Sequence, residues 1–338
     1  MNRKNSFYDK IRKGLAVFVC VVSIILISSG CSSEPKVYRV GILSGLDAFI
    51  NIADGFTAKM TELGYVENKN IMYDVQKTNM DQAEMQKMLE KFVVAKVDLI
   101  FAFPTEPALL AKEAVKGTNI PVVFDIAGIE GNNLVESVPH PGGNITGIRY
   151  PGPDLVVKRF EILIELAPWI KRLYIPYDPA YPTDIPALAA LRPVALSKGV
   201  TLVEAPSGSV EDIRASFDTR AKTADIGMDA IQILPELLTQ SPAAWALISQ
   251  FAKEHKIPLV GSQLSSADNG SVFSYCVNFY EVGRLAAPLA DKIFKGIPAG
   301  TIPLITPEAT FRINFKIIQE LGLKVSESLL SQANEIIR

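Results

Sequence analysis

Short apolar runs and amphipathic stretches alternate along most of this chain, and their order carries its first structural information. Tyr38–Leu43 reads as a strand. Asn51–Leu63 places Ile52, Phe56, Met60 and Leu63 on one helical face and stops at Gly64. Asn70–Gln76 is strand-like, Asp81–Ala95 a Met- and Leu-bearing helix, and Val97–Phe103 a strand. Glu106–Lys116 then reads as helix and Pro121–Ile126 as strand. That βαβαβαβ order, with short connections, predicts a parallel sheet covered on both faces.

The pattern then restarts. Arg172–Tyr177, Thr201–Ala205, Ala230–Leu234 and Pro258–Gly261 read as strands, separated by helices over Asp184–Lys198, Val210–Lys222 and Pro242–His255. Pro193 is expected to kink the first of these helices. Two doubly wound α/β lobes with parallel sheets follow from this repetition. Three extended pieces, Asn144–Arg149, Ser271–Val277 and Thr301–Pro307, fit neither half and predict a three-strand hinge. Final helices are expected over Phe315–Leu321 and Glu327–Ile337. The resulting division assigns residues 38–147 plus 278–305 to one lobe, and 148–277 plus 306–338 to the other.

The N-terminal segment predicts a compartment outside the cytoplasmic membrane. Arg3, Lys4, Lys10, Arg12 and Lys13 precede an apolar run, Leu15–Ile27. Its roughly 13 residues suit a signal-peptide core and fall short of the ~20 that a spanning helix needs. Ser28-Ser29-Gly30-Cys31 follows and resembles the lipobox of bacterial lipoproteins, although Ser28 stands where that pattern prefers Leu. Residues 1–30 are therefore expected to be a leader. Cys31 is the expected lipidated (palmitate-bearing) N-terminus, and residues 31–37 are expected to tether the body on the outer side of the cytoplasmic membrane, or in the periplasm of a host with two membranes.

Charge and cysteine usage narrow the partners. The leader carries five basic residues and Asp9, so its removal shifts the net charge from −2 to −6. A mildly acidic body argues against nucleic acid and against a polybasic membrane surface. With Cys20 in the leader and Cys31 lipidated, Cys276 has no partner, so no internal disulfide is expected. Cys276 sits in a strand-like run and reads as a buried structural thiol.

The chain contains no Walker-type glycine loop, HExxH, CxxC or GxSxG. Its two histidines, His140 and His255, fall in different lobes, which removes most zinc sites and histidine-based triads. No catalytic residue, metal ligand or cofactor is expected.

Several segments carry a family resemblance. Val40-Gly-Ile-Leu43, Glu62-Leu-Gly-Tyr-Val-Glu67 with Asn70-Ile71, and Val138-Pro-His-Pro-Gly-Gly-Asn-Ile-Thr-Gly147 are the first three. Ala290-Asp-Lys-Ile-Phe-Lys-Gly296, Asn314-Phe-Lys316 with Leu321-Gly-Leu323, and Ser328-Leu-Leu330 with Ala333 complete the set. In this order they resemble the ABC-transporter substrate-binding proteins of the tryptophan/tyrosine type, over about residues 38–338. The resemblance implies a type I periplasmic-binding-protein fold and a monomer. It also implies a bound small molecule, with an aromatic amino acid or similar zwitterion as the precedent, and a partner permease with its ATPase. A sensory ligand-binding protein and an extracytoplasmic enzyme share the same scaffold and are the competing readings.

In such lobes the ligand lies at the carboxyl ends of the strands. The loops expected there contribute Ser44, Leu46, Phe103, Thr105 and Asp125 from the first lobe, and Tyr177, Asp178, Tyr181, Glu236 and Ser262 from the second. Ser44 and Thr105, at helix starts, are candidates for holding a carboxylate, with N-capping as their competing role. Asp125 or Asp178 is placed to pair with an ammonium, although Asp178-Pro179 is also a turn signal. Phe103, Tyr177 and Tyr181 are candidates for sandwiching a flat group, against a role in the core.

Overall fold

The computed structural model describes residues 36–338. The expected leader and the lipidation site Cys31 lie outside the described residues. The first lobe is built from β1 (Tyr38–Ser44), α1 (Ile50–Glu62), β2 (Ile71–Lys77), α2 (Gln82–Val94), β3 (Leu99–Phe103), α3 (Thr105–Ala114), β4 (Val122–Ala127) and β5 (Ile145–Arg149). Its sheet order is β2-β1-β3-β4-β5, with β1, β3, β4 and β5 mutually parallel. All five residues of β3 and all six of β4 are buried. Helices covering both faces of a sheet leave its central strands no solvated side, hence the apolar runs, unbroken in β3 and interrupted in β4 only by Asp125.

The second lobe follows with α4 (Gly152–Leu166), β6 (Arg172–Tyr177), α5 (Asp184–Ser197), β7 (Thr201–Pro206), α6 (Val210–Ala221), β8 (Ala230–Gln232), α7 (Leu237–Gln240), α8 (Pro242–Glu254), β9 (Leu259–Gly261) and β10 (Phe273–Cys276). The chain then forms α9 (Phe279–Phe294), β11 (Thr310–Asn314), α10 (Phe315–Glu320), α11 (Glu327–Gln332) and β12 (Glu335–Ile337). The second sheet runs β12-β11-β10-β9-β8-β6-β7. Its pairs are parallel except β10–β11, so this sheet is mixed rather than purely parallel.

Helix α9 leaves the second sheet and returns to the first lobe, where it packs along α1. The seam closes because it lacks side chains where the backbones cross. A Cβ on Gly283 would stand 2.0 Å from the Ile52 carbonyl oxygen, and one on Gly55 would stand 1.9 Å from that of Tyr280. Asn278 starts α9 by accepting from the backbone N–H groups of Tyr280 and Glu281.

The chain thus passes between lobes after β5, after β10 and before β11. The first and third passages lie side by side: Arg149 N–H donates to the Ile305 carbonyl at 2.9 Å, and Ile305 N–H to that of Gly147 at 3.1 Å. The extended pieces read as hinge strands resolve differently. Residues 145–149 are β5 and residues 273–276 are β10, each a sheet member, while the 301–307 piece contributes one bridge, Ile305 to Ile148. The chain end also departs from expectation. Helix stops at Gln332, and Glu335–Ile337 pairs with β11 because Asn334 exchanges hydrogen bonds with the Phe311 backbone.

Candidate functional site

The carboxyl ends of the parallel strands from both lobes converge on one cavity. The first lobe contributes Pro104 and Thr105 at the β3–α3 junction, Ile126 near the end of β4, and Phe49 ahead of α1. The second contributes Tyr181 and Thr183 ahead of α5, Pro235 and Gln240 around α7, and Ser262 and Gln263 after β9. The passages between lobes add Tyr150, Cys276 and Phe279. The water-accessible space is about 50 Å³, room for roughly three or four waters. The lobes touch beside it, since a Cβ on Gly128 would stand 3.3 Å from Thr183 Cγ2. This is a closed arrangement.

Local structure explains the aim of the first-lobe wall. The register between β4 and β5 shifts at Phe124/Ala127, and Ile126 holds φ 40°. A β-branched residue in that region is a strained outlier of the kind found at ligand clamps. Asp125 holds the irregularity, its Oδ1 accepting from Ile126 N–H at 2.8 Å. Thr105 Oγ1 accepts from Gly128 N–H at 3.0 Å, tying the start of α3 to the segment after β4. Helix α3 begins at Thr105 with no side-chain cap, so its positive end lies at the cavity wall.

The electrostatics are asymmetric. Among the described residues no Lys, Arg or His lines the cavity, whereas carboxyls from both lobes stand around Tyr181. Glu106, Asp184 and Glu236 all act on its phenol, whose pKa burial and these charges push up. Asp184 is fully buried, and neither carboxyl oxygen has a hydrogen bond of good geometry. Burial pushes its pKa up to about 8, with repulsion from Glu236 and Asp178 adding to the effect and the Asp178 amide offsetting part of it. Glu236 is 1% exposed and caps α7, accepting from Leu238 and Thr239 N–H groups. Its burial outweighs those bonds and raises its pKa. Glu106 is raised by burial too, and its Oε2 is buried without a partner. Thr183 Oγ1 and Thr239 Oγ1 are likewise unpartnered. Buried polar groups in native proteins are normally satisfied, so such a concentration makes this cavity the candidate ligand site.

Of the residues singled out from sequence, Thr105, Tyr181 and Ser262 line this cavity. The others do not. Ser44 is buried and donates to the Leu46 carbonyl at 2.8 Å, forming a turn. Leu46 is half-buried, and its carbonyl accepts from Phe49 N–H, setting the position of Phe49. Phe103 is fully buried, its ring tilted against that of Phe101 at 5.1 Å, and Tyr177 belongs to the second core. Asp125 is wholly buried behind the wall, with Oδ2 unpartnered. Asp178 forms a turn with Ala180 N–H and reaches the site through its backbone amide toward Asp184 and through its field on Asp184 and Glu236. Glu236 is a helix cap in the acidic cluster. Sequence reasoning missed Asp184, Thr183, Tyr150, Phe49 and Phe279. For Asp184 a local signal existed, an acidic residue opening a helix three positions after Tyr181.

Comparison with known proteins places this geometry. Residues 39–337 match the family model described as ABC transporter substrate binding protein. A protein of Clostridioides difficile (strain R20291) named "Tyrosine-binding protein" is 26% identical over 258 residues, covering 76% of this chain and 72% of its own length. Among solved structures, an ABC domain from Streptococcus pneumonia in complex with L-Trp superimposes with a TM-score of 0.76. It is 22% identical and covers 89% of this chain and 100% of that one. A substrate-binding protein with adhesive properties from Clostridium difficile, in its ligand-free, open form, gives 0.72 at 23% identity, covering 89% and 99%. These likenesses support the two-lobed periplasmic-binding-protein fold. The match across nearly all of the described residues shows that the chain belongs to the ABC transporter substrate-binding protein family.

Proposed function

We propose that this protein captures an amino acid with an aromatic side chain outside the cytoplasmic membrane and delivers it to a permease driven by its ATPase. In this reading it is a monomer held to the membrane by lipid on Cys31, and ligand binding stabilises the closed arrangement of the lobes.

The observation that carries the reading is the buried, unpartnered Asp184 carboxyl beside an aromatic-walled cavity. An ammonium entering there pairs with Asp184 and relieves the repulsion among Asp184, Glu236 and Glu106. A carboxylate on the same ligand meets the positive end of α3 and the Thr105 hydroxyl. Phe49 and Phe279, edge to face at 5.2 Å, wall the cavity along with Tyr150 and Tyr181, surfaces suited to an aromatic side chain. The tyrosine-binding relative from Clostridioides difficile and the L-Trp-bound structure from Streptococcus pneumonia agree with that chemistry.

Thermal unfolding of the full chain against amino acids, sugars, purines and pyrimidines tests this. Ligand at a hundred times its Kd adds about 2.7 kcal/mol, a rise of several degrees. A response to tyrosine, tryptophan or phenylalanine supports the reading. A response confined to sugars or bases overturns it.

A further inference from the structure

Arg159, in the middle of α4, is completely buried. Its Nε donates to the Tyr275 carbonyl at 2.9 Å, while Nη1 and Nη2 have no hydrogen-bond partner. Among the described residues no carboxylate forms an ion pair with it. A buried guanidinium left without a counter-charge is costly, and folded proteins keep one where a partner arrives or a field is needed.

Its neighbours show where that field acts. The Tyr150 phenol lies within reach of the guanidinium but outside good hydrogen-bond geometry, and the Cys276 thiol also feels its charge. Both residues line the cavity. Arg159 thus stands one residue behind the wall, and its charge reaches the ligand space through Tyr150. The same cavity has the carboxyls of Glu106, Asp184 and Glu236 around Tyr181. One buried cation and several buried carboxyls around a single small space make a polarised site.

We propose that Arg159 is a specificity-determining positioning residue that selects ligands bearing a carboxylate. The guanidinium orients Tyr150 so that its hydroxyl accepts from Arg159 and donates to the ligand carboxylate. The inference deepens the amino-acid reading and rests on it.

The experiment compares L-tyrosine and L-tryptophan with tyramine and tryptamine, which keep the ring and ammonium and lack the carboxylate. Titration calorimetry is run on the full chain, on Arg159→Met, Arg159→Lys and Tyr150→Phe, with ligand-free melting as the check on folding. Arg159→Met is expected to weaken the amino acids by about tenfold or more while leaving the amines within about twofold. Arg159→Lys, which keeps the charge, recovers part of the loss, and Tyr150→Phe repeats the Met pattern. If Arg159→Met does not fold, Arg159→Lys and Tyr150→Phe carry the comparison.

Equal weakening of amino acids and amines, or no recovery with Lys, makes Arg159 a structural residue and overturns the inference while leaving the amino-acid reading intact. Wild-type protein that binds neither amino acids nor amines overturns that reading, and the inference with it.

Discussion

Gly128 and Thr183 face each other across the cleft so closely that a Cβ on the glycine would stand 3.3 Å from the threonine methyl. The two residues belong to different lobes, one following β4 and the other preceding α5. Their contact accompanies the closed arrangement, and a bulky side chain at 128 has no space there. Gly128→Leu is therefore expected to hold the lobes apart. Small-angle scattering with saturating ligand should give a larger radius of gyration than wild type, and ligand affinity should fall about tenfold, or ~1.4 kcal/mol. Ligand-free melting should move little, because the lobe cores are untouched. A variant that closes and binds normally would show that this contact does not control closure.

The pH dependence follows from Asp184. Burial raises it to about 8, with Glu236 and Asp178 adding repulsion and Tyr181 beside it. Unfolded, the same carboxyl titrates near its ordinary value of about 3.9. Between those values the folded protein holds a proton that the unfolded chain has lost, so stability falls as pH rises from about 4 to about 8. Ligand-free wild type should melt lower at pH 8 than at pH 5. Asp184→Asn removes this titration, and its melting curve should descend less steeply over the same range. Parallel curves for the two proteins would contradict the assignment.

The seam between α1 and α9 gives a test of the fold. A Cβ on Gly283 would meet the Ile52 carbonyl oxygen at 2.0 Å, a clash with backbone that no side-chain rotation relieves. Gly283→Ala should cost about 1–3 kcal/mol, read as a lower urea midpoint with an unchanged slope. An unchanged midpoint would mean that the helices separate at little cost.

Much of the fold was legible because its strands are buried on both faces. Residues 99–103 announce themselves as an unbroken apolar run, residues 122–127 as one interrupted only by Asp125, and the Gly64 stop lies just beyond α1. Helices α4 and α9 escaped notice. The first opens on Pro151-Gly152-Pro153, which reads as a breaker, and the second begins two residues beyond a strand. The three-residue β12 exists only through its pairing with β11, a tertiary fact. The site was half legible for the same reason. Strand ends point to Thr105, Tyr181 and Ser262, but not to which aromatics face inward: Phe103 and Tyr177 turn to the cores, while Tyr150 and Phe279 reach the cavity. Asp184 and Arg159 acquire their meaning from burial without partners, which three-dimensional packing alone creates.

The most direct test is titration calorimetry of L-tyrosine and L-tryptophan into the full chain and into Asp184→Asn at pH about 7.5. The account predicts saturable one-to-one binding of at least one of them to wild type. Affinity should drop by about tenfold or more in the variant, with a ligand-free melting temperature no lower than that of wild type. Absence of binding to wild type, or equal affinity in the two proteins, would contradict the claim that this cavity holds an amino acid through Asp184.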